Sequence, residues 1–473
     1  MSDNKANRQY RGELRSDGAN LSYTVVLRLI KVINAVLMTV PFAVAWYMIY
    51  NPRILGGPFY EKGNWLVVFL FFVLYCVFAK TYDALLVSYN RVPEMVYSQM
   101  LSVLFTDVLM FLIIWILTRF IPVLWPFPVI LAAQFGISVL WSFFSHRWYF
   151  RTFRPKHTIV VRDMRKDVED LVKKYRLEKK YDIIGTVLAE DCVTRLSILD
   201  YAEVVFLAGV HSHDRNIIIK YCVEHDITAL IIPRIGDVLM ASSHRMHLFH
   251  LPILRLDRYD PPVWYVLIKR VCDIVLSIIA IVILSPVMAV VALLIRQHDK
   301  GPVLYRQKRL TKDGREFMLM KFRSMKVDAE DDGIARLSTE EDERITPIGR
   351  VIRRFRIDEI PQLFNILKCD MTIVGPRPER PEIAALYEKE LPEFKLRLQA
   401  KAGLTGYAQV YGKYDTTPYD KLQMDLMYIS TASIPQDISI IFATIKILFQ
   451  RESTEGVKES PRAVGTMGMD KYG

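Results

Sequence analysis

Five long apolar runs constrain this chain more than any other feature of its sequence. Four lie in the first third, roughly Leu29–Tyr50, Asn64–Leu86, Met100–Arg119 and Pro122–His146, and the fifth is Trp264–Ile295. Each has about the length that the apolar core of a bilayer requires. Hydrophobic residues make up 52% of the 473 residues although 24% are charged. The sequence therefore predicts several membrane helices among water-soluble parts.

Charges beside the first four runs predict their orientation. Basic residues precede the first run and follow the fourth: Lys5, Arg8, Arg11 and Arg15, then Arg147, Arg151, Arg154 and Lys156. The positive-inside rule places both ends of this bundle in the cytoplasm. Residues 1–23 lack the layout of a secretory signal and are predicted as a basic cytosolic arm. Residues 24–150 are predicted to form a four-helix membrane bundle.

Residues 151–260 are predicted to form a small α/β domain. Four short β-branched runs lie in it: His157–Arg162, Tyr181–Val187, Glu203–Leu207 and Ile227–Ile232. Helix-like segments such as Lys166–Lys179 and Asn216–His225 separate them, which predicts a parallel sheet. The first strand leads into Val161–Arg165, where a dinucleotide fold requires a glycine-rich turn, and no glycine is present. We expect a Rossmann-like domain without nucleotide, structural or regulatory in role.

The fifth apolar run differs from the others because both of its flanks are basic. Lys269 and Arg270 lie near its start, and Arg296, His298 and Lys300 follow its end. Ser285 and Pro286 interrupt its middle, where proline removes a backbone hydrogen bond and serine can help satisfy the freed group. These features favour a re-entrant helix, 264–297, that bends and leaves on the face it entered. A fifth crossing helix and a buried core helix are the alternatives.

The stretch Arg350–Pro378 contains the densest chemistry. It begins with Arg350, Arg353, Arg354 and Arg356, continues with the pair Asp358–Glu359 and then Pro361, and ends in a Gly-Pro-Arg-Pro corner at Gly375–Pro378. Asp358 is predicted to cap a helix, which would place two carboxylates beside cations at the positive end of a helix dipole. Such a site attracts phosphates, which a divalent cation can bridge. An ordinary helix start with solvated arginines explains this stretch equally well on its own.

The segments around this stretch complete the third part of the chain. Lys321 and Arg323 alternate with apolar residues, which fits a strand that holds a diphosphate or a solvated edge strand. Val327–Glu343 is acidic and loop-like, Glu382–Gln399 has a helical pattern, and Ala402–Gly406 is predicted as a turn. Ile434, Ile438, Ile441, Ile445 and Leu448 form an apolar stripe with Lys446 and Arg451 nearby. That helix is predicted to lie either on the membrane interface or against its own domain.

Charge and cysteine content narrow the classes of partner. The net charge of +11 fits nucleic acid, anionic lipid or phosphorylated substrates. Neither a zinc-finger spacing nor an RNA-binding aromatic signature is present, so nucleic acid is not a predicted partner. The five cysteines are scattered without a CxxC pair, which argues against a disulfide framework or a zinc site and suits a reducing cytosol.

Several ordered motifs together resemble the bacterial sugar transferase family. They are Asp273, Ser277 and Ser285-Pro286; Lys321–Met325; Ile357–Leu363; and Asn365, Lys368, Asp370-Met371 and Val374–Pro378. The resemblance covers about Val263–Arg451, and the upstream helices and Rossmann-like domain are similar to the long members. Cys369 stands where the family usually has glycine.

The resemblance implies an activity and a fold. These enzymes transfer a hexose-1-phosphate from a UDP-sugar, most often glucose or galactose in long members, to undecaprenyl phosphate and release UMP. The reaction begins exopolysaccharide, capsule or O-antigen synthesis on the cytoplasmic face of the bacterial inner membrane. The implied fold of residues 261–452 is an α/β monotopic phosphoglycosyl transferase domain with a re-entrant helix, followed by a disordered tail, 453–473. The bilayer and other polysaccharide assembly proteins are implied partners, and a homodimer is compatible with the sequence.

The resemblance also assigns roles to residues. Asp358 is the implied nucleophile, which forms a covalent phospho-sugar, and Glu359 helps it to hold Mg²⁺. Arg353 and Arg377 match arginines that bind phosphate, and Lys321 and Arg323 are expected to join them. Arg350, Arg354 and Arg356 are expected to be surface or head-group contacts. Asp273 and Ser277 are expected to stabilise the re-entrant helix.

Two other classes of protein share parts of this pattern. A membrane-anchored nucleotide-sugar dehydratase or epimerase can have four spans and a Rossmann-like domain, but it requires a glycine-rich dinucleotide loop. A non-catalytic scaffold of a polysaccharide assembly complex would tolerate Asp358→Asn without loss of product.

Overall fold

A computed structural model of the chain describes residues 17–54, 61–163, 168–174, 177–326, 342, 344–412 and 416–448. The chain divides into two compact units, Met1–Ile232 and Pro233–Gly473, which are described in turn. The first sixteen residues of the predicted basic arm, most of the predicted acidic segment and the predicted tail lie outside the described residues. The finer five-part division drawn from the sequence stays a prediction.

The first unit begins with four long helices, as the apolar runs predict. They are α1 (Asp17–Ala45), α2 (Glu61–Thr81), α3 (Val92–Thr118) and α4 (Pro126–Thr152). Each is long and apolar enough to cross a membrane. Consecutive helices pack against one another, and α1 packs against α4, so the four close into a bundle. The predicted four-helix arrangement is confirmed at this level.

The interior of the bundle combines aromatic packing with a buried polar network. Phe42 stacks on Phe71 with ring centroids 4.4 Å apart. The Tyr75 hydroxyl donates to Oδ1 of Asn34 at 2.7 Å, and the Ser138 hydroxyl donates to Oε1 of Gln99 at 2.8 Å. Buried polar groups are tolerated when they are hydrogen-bonded. These contacts therefore fix how the helices pair.

A parallel sheet follows the bundle in the same unit. Its strands are β1 (Lys156–Arg162), β2 (Tyr181–Leu188), β3 (Val204–Ala208) and β4 (Thr228–Ile232), and its helices are α5 (Val168–Lys174), α6 (Ala189–Thr194) and α7 (Ser212–Glu224). The order β2-β1-β3-β4 is that of flavodoxin-like doubly wound sheets. The four predicted strands and their parallel pairing are confirmed. The Rossmann-like assignment stays a prediction.

The loop between α2 and α3 lies beside the sheet. The hydroxyl groups of Tyr89 and Tyr181 are 3.2 Å apart, and the Lys180 ammonium donates to the Ser88 hydroxyl at 3.3 Å. The same ammonium lies 3.1 Å from the centroid of the Tyr89 ring. The chain after α2 and the chain after α4 therefore lie at one end of the bundle, as an even number of crossings requires.

The second unit contains eight helices and six strands within its described residues. In chain order they are α8 (Ile235–Ala241), β5 (His244–Leu248), β6 (Leu251–Arg255), α9 (Val263–Asp299), β7 (Leu304–Leu310), β8 (Glu316–Phe322), α10 (Pro347–Arg354), α11 (Gln362–Leu367), β9 (Thr372–Val374), α12 (Pro381–Glu390), β10 (Gly403–Thr405), α13 (Tyr407–Tyr411), α14 (Pro418–Thr431) and α15 (Ile434–Leu448). Strands β7 and β8 form an antiparallel hairpin, whereas β9 and β10 pair in parallel.

Three details of the second unit bear on the sequence predictions. Ala402–Gly406 was predicted as a turn, but it contains β10, because the Thr372 N–H donates to the Ala402 carbonyl and starts a parallel pair. The predicted helix Glu382–Gln399 ends at Glu390 and resumes as a 3₁₀ helix from Pro392. Helix α15 is confirmed. Ile441 of the predicted stripe packs against the unit's own core, whereas Ile438 is 47% exposed, so both alternatives stay open.

Helix α9 is continuous over 37 residues, with Pro286 inside it. Proline at 286 removes the N–H that would donate to the carbonyl of residue 282. The Ser285 hydroxyl donates to that same Val282 carbonyl at 2.8 Å, as the sequence predicts. The helix is long and apolar enough to cross a membrane, and whether it crosses or re-enters stays a prediction.

Candidate active site

The carboxylate pair lies in a tight turn between two helices. Helix α10 ends at Arg354, and a 3₁₀ turn, Ile357–Glu359, follows. Arg356 enters this turn in the left-handed region with φ 53°. The residue at the N-cap of α11 is Pro361, so the expectation that Asp358 caps the helix is wrong. The turn aims Asp358 and Glu359 into the protein, and Asp358 is only 8% exposed.

Glu359 is surrounded by cations from three parts of the second unit. Its Oε1 lies 3.2 Å from the Lys321 ammonium and 3.4 Å from Nη2 of Arg377. Its Oε2 lies 3.0 Å from Nη2 and 3.1 Å from Nε of Arg356, a two-pronged contact. Strand β8, the turn and the Gly-Pro-Arg-Pro corner therefore meet at one carboxylate.

The cations determine the ionisation of Glu359. Burial alone raises the pKa of a carboxyl group, because it disfavours the charged form. The attraction of Lys321, Arg356 and Arg377 outweighs burial and holds the pKa of Glu359 well below its usual value. Burial lowers the pKa of Lys321, an effect that Glu359 opposes. Glu359 is therefore a fixed anion at the centre of a cationic cluster.

Asp358 has a different environment from its neighbour. Burial raises the pKa of Asp358, and Lys321 and Arg353 counter part of that shift while Glu359 adds to it. Within the part of the chain that the structure describes, the Asp358 carboxylate accepts no hydrogen bond. A buried carboxylate without a fixed donor keeps its oxygen lone pairs for a ligand. Two adjacent carboxyl groups with pKa values pushed apart are a pattern of catalytic sites.

The corner that carries Arg377 is built on closely packed glycine backbone. The Gly375 N–H donates to the Thr405 carbonyl at 2.8 Å, and the Gly403 N–H donates to the Pro376 carbonyl at 2.9 Å. A Cβ atom added at Gly403 would lie 2.1 Å from the Gly375 nitrogen, and one at Gly406 would lie 2.1 Å from the Gly375 oxygen. Only glycine permits this approach, which fixes the start of the corner.

Two arginines that the sequence analysis missed hold the rest of the corner. Nη1 of Arg309 donates to the Pro378 carbonyl at 3.1 Å, and Nη2 of Arg397 donates to the Arg377 carbonyl at 2.9 Å. Arg397 is itself paired with buried Asp425 at 2.7 Å. The Arg377 side chain also donates to Oε1 of Gln409 at 3.2 Å. Partners 20 to 69 residues apart leave no local sequence signal.

The two other arginines predicted to bind phosphate, Arg353 and Arg323, both described in the structure, form no ion pair with Glu359. Arg353, on α10, acts on Asp358 through its charge. The Arg323 N–H donates to the Val303 carbonyl at 3.0 Å, and its guanidinium packs on Gly301, where an added Cβ would lie 2.2 Å from Nη1. Arg323 therefore lies at the junction of α9 and β7. The roles of both residues in phosphate binding stay predictions.

The remaining arginines of the opening cluster separate into two kinds. Arg350 and Arg354 are exposed on α10, as expected of surface contacts. Arg356 was expected to join them, but it is ion-paired with Glu359. The left-handed conformation at Arg356 turns its side chain back onto the residue three positions later, and a sequence pattern does not reveal that conformation.

Polar anchors attach α9 to the second unit. The Asp273 carboxylate accepts from the Thr372 hydroxyl at 2.6 Å and from the Ile373 N–H at 3.0 Å, which ties the helix to β9. Near the start of the helix, Lys269 pairs with Asp437 at 2.6 Å. The guanidinium of the next residue, Arg270, donates to the Ile366 carbonyl at 2.7 Å. Asp273 is therefore structural, as expected.

The donor set for a metal ion consists of the two adjacent carboxylates. Mg²⁺ in proteins uses one or two carboxylates together with substrate phosphates and waters. Asp358 fits this use because no described residue occupies its carboxylate. Both oxygens of Glu359 contact cations, so Glu359 can act as a ligand only when one of those contacts is given up. No group of three or more His, Cys, Asp and Glu suited to a metal occurs among the described residues.

Comparison with known proteins places this site in a family. The sequence profile of the family described as "Bacterial sugar transferase" matches residues 264–451, which include the carboxylate turn, Lys321 and the Arg377 corner. The match also contains α9 and the residues that anchor it.

Individual relatives share the same part of the chain. A UDP-N-acetylgalactosamine-undecaprenyl-phosphate N-acetylgalactosaminephosphotransferase of Aeromonas hydrophila is 37% identical over 230 residues, 48% of this chain and 53% of that protein. A UDP-glucose:undecaprenyl-phosphate glucose-1-phosphate transferase of Escherichia coli (strain K12) is 36% identical over 225 residues, 46% of this chain and 48% of that protein. The chain thus spans about half the length of these two relatives.

A shorter relative is matched almost completely. The exopolysaccharide production protein PSS of Rhizobium leguminosarum bv. phaseoli is 39% identical over 187 residues, 38% of this chain and 93% of that protein. The part of the chain that contains the candidate site is therefore similar to nearly the whole length of this relative. Together with the profile match, this similarity shows that the chain belongs to the bacterial sugar transferase family.

Proposed function

We propose that the protein transfers a hexose-1-phosphate from a UDP-sugar to undecaprenyl phosphate and releases UMP, as the first membrane step of exopolysaccharide, capsule or O-antigen synthesis. The observation that carries the proposal is the buried Asp358–Glu359 turn, with Lys321, Arg356 and Arg377 converging on Glu359. The names of the relatives support the class of acceptor and of transferred group. Glucose, galactose and N-acetylgalactosamine are the candidate sugars.

The first step forms a covalent bond to Asp358. A carboxylate oxygen of Asp358 attacks the phosphorus that carries the sugar, and the bond from that phosphorus to the bridging oxygen breaks. UMP leaves with the bonding electron pair, and an aspartyl phospho-sugar remains. Catalysis of phosphoryl transfer rests mainly on positioning and charge stabilisation. Lys321 and Arg377 supply positive charge beside the attacked group, and Arg353 adds to it.

The second step restores the enzyme. A phosphate oxygen of undecaprenyl phosphate attacks the same phosphorus, and the bond from phosphorus to the Asp358 oxygen breaks. The products are the lipid diphosphate sugar and a free carboxylate. Glu359 holds the surrounding cations beside Asp358, because its oxygens contact three cationic side chains.

We expect Mg²⁺ to be held by Asp358, by substrate phosphate oxygens and by Glu359 once one of its cation contacts is released. When bound, the ion neutralises part of the diphosphate charge. This chain's own residues supply the remaining charge and the orientation of the nucleophile.

We further propose that α9 is re-entrant and keeps the site on the cytoplasmic face. Its start, middle and end all contact the second unit, through Tyr265, Ile281 and Ile295 respectively. A helix of 37 residues is about 55 Å long, whereas the apolar core of a bilayer is about 30 Å thick. Contacts at its start, middle and end favour a helix that stays on one side with its unit. The lipid phosphate then reaches Asp358 without leaving the bilayer.

The decisive experiment follows the sugar phosphate into lipid. Membranes that contain the protein are incubated with undecaprenyl phosphate and with radiolabelled UDP-glucose, UDP-galactose or UDP-N-acetylgalactosamine in turn. We expect label in the organic phase and an equal amount of released UMP for one of them. Without undecaprenyl phosphate, acid-quenched protein is expected to gain the mass of one sugar phosphate.

Variants separate this activity from simple binding. Asp358→Asn is expected to abolish the mass increase and UMP release, while Asp260→Asn, at an exposed position of the same unit, retains both. Turnover by Asp358→Asn would refute the nucleophile. Turnover without the mass increase would favour direct attack by the lipid phosphate.

A further inference from the structure

A cavity of about 290 Å³ lies in the first unit, where the membrane bundle meets the parallel sheet. The loop from Ser88 to Pro93 forms one wall, and His146 and Phe150 of α4 form another. The third wall consists of Leu177, Lys179 and Lys180, which lie just before the start of β2. The volume is close to the lower end of ligand sites, about 300 Å³. The candidate active site uses none of these residues.

The described lining of this cavity is cationic. Arg91, Lys179 and Lys180 contribute positive charge, and no described lining residue is Asp or Glu. Among the described residues, none of these three cations forms an ion pair. A cavity lined by charges of one sign raises the local concentration of anions.

Aromatic groups hold the cations in place. The Lys180 ammonium lies 3.1 Å from the centroid of the Tyr89 ring and donates to the Ser88 hydroxyl at 3.3 Å. The Lys179 ammonium lies 5.9 Å from the centroid of the Phe150 ring. Burial lowers the pKa of Lys180, and the contact with Tyr89 opposes this shift. Ordered cations lose little conformational entropy when an anion binds.

We propose that this cavity binds a phosphate group carried by a small organic anion. The head group of an anionic phospholipid is the favoured source, because the cavity lies at the end of helices long and apolar enough to cross a membrane. Basic pockets at the ends of membrane helices are suited to such head groups. A soluble phosphorylated metabolite presents the same chemistry and is the alternative source. The site does not depend on the transferase activity.

The test measures binding to the whole purified protein in neutral phosphatidylcholine nanodiscs. Short-chain phosphatidylglycerol, short-chain phosphatidylcholine and glycerol phosphate are added separately at constant ionic strength. Bound lipid is counted by native mass spectrometry, and thermal unfolding reports stabilisation. We expect phosphatidylglycerol to bind and raise Tm, and phosphatidylcholine to do neither.

Two matched double variants locate the binding. Arg91→Gln/Lys179→Gln removes two cations from the cavity, while Arg195→Gln/Lys220→Gln removes the same residue types from exposed positions of the same unit. The first is expected to weaken phosphatidylglycerol binding roughly thirtyfold. The second is expected to leave it unchanged. Lys180→Gln is the additional variant if the first fails to fold.

Each outcome decides the proposal. Loss of phosphatidylglycerol binding only in the cavity variants supports the lipid head group. Binding of glycerol phosphate that the cavity variants abolish, without a preference for lipid, supports a soluble phosphate ligand. Equal binding by the cavity variants and the matched control overturns the site, as does the absence of binding by either phosphate compound.

Discussion

The ammonium nitrogen of Lys321 lies 3.2 Å from Oε1 of Glu359, a residue 38 positions later in the sequence. This contact joins the β7–β8 hairpin to the turn that carries Asp358. Arg377 reaches the same oxygen from a third segment, so one carboxylate organises three pieces of chain. Glu359, beside the proposed nucleophile, thus has an architectural role as well as an electrostatic one.

The contact between Arg356 and Glu359 gives the first prediction. Arg356→Gln removes a charge-assisted, two-pronged contact to Glu359 and frees that carboxylate to move. We expect kcat/KM for UMP release to fall about tenfold to a hundredfold while the fold is retained. Arg350→Gln, with the same charge change at an exposed position of α10, is the control. Equal activity of the two variants would contradict the assignment.

A second prediction concerns pH. In the proposed mechanism Asp358 attacks only when it is ionised, and burial raises its pKa. Activity is therefore expected to fall as pH decreases through a value above that of an ordinary aspartate, about 3.9. Lys321 lowers this pKa by attraction, so Lys321→Met is expected to move the acid limb of kcat/KM to higher pH.

The control for the pH experiment lies on the neighbouring strand. Lys308→Met removes an exposed ammonium whose partner is Glu316, 3.3 Å away. For Lys308→Met, the fall of kcat/KM at low pH is expected to occur at the same pH as in the unmodified protein. An acid limb that does not move in Lys321→Met would mean that another group controls the rate.

A third prediction concerns the stability of the Arg377 corner. Arg397 and Asp425 are paired at 2.7 Å with side chains only 4% and 1% exposed. Arg397→Met leaves Asp425 as an uncompensated buried charge and is expected to destabilise the protein by about 3 to 5 kcal/mol. Arg397→Met/Asp425→Leu should recover much of the loss in Tm. Lys308→Met, which breaks an exposed pair, should change stability by less than about 1 kcal/mol.

The close approach of the Gly375 and Gly403 backbones gives a fourth prediction. An alanine Cβ at Gly403 would lie 2.1 Å from the nitrogen and 2.5 Å from the oxygen of Gly375, so the corner must shift. Gly403→Ala is expected to destabilise the protein by about 1 to 3 kcal/mol and to lower kcat/KM at least tenfold, by displacing Arg377. Gly236→Ala has no atom within 4 Å of its new Cβ and lies in α8. It should leave Tm unchanged or slightly raised.

The topology of α9 is the subject of the fifth prediction. Single cysteines are introduced as Val263→Cys or Lys300→Cys in a protein whose five native cysteines have been replaced. A membrane-impermeant thiol reagent is expected to label both from the same face of sealed, oriented vesicles. Pro286→Ala, which restores the missing backbone donor, is expected to place the second cysteine on the opposite face. Labelling of the original pair from opposite faces would show a crossing helix.

The regular elements follow from the sequence because their signals are local. Four membrane-length helices, four parallel strands and α15 are visible as apolar runs or stripes, and all are present. Strand β10 was not predicted, because its three residues carry no alternation and depend on pairing with β9. Short elements that exist through a partner are not encoded in their own residues.

The candidate site is predictable in its chemistry and less so in its geometry. The stretch around Asp358 and Glu359 selects the site only together with the other motifs of the resemblance, and Lys321 and Arg377 do lie at Glu359. The role of Arg356 depends on a left-handed φ of 53°, which its sequence neighbours do not indicate. Cys369 also has a positive φ, 68°, which explains why the family usually has glycine there.

The anchoring of α9 has a consequence for how the protein is made. Tyr265 donates to Asp437, 172 residues later, so the helix leaves the ribosome long before its last partner exists. At about 5 to 20 residues per second, this interval is roughly 10 to 30 s. During that time a helix with an apolar outer face has no water-soluble surface to cover it. The bilayer therefore covers this apolar face first, and the rest of the second unit folds onto a helix that is already held at the membrane.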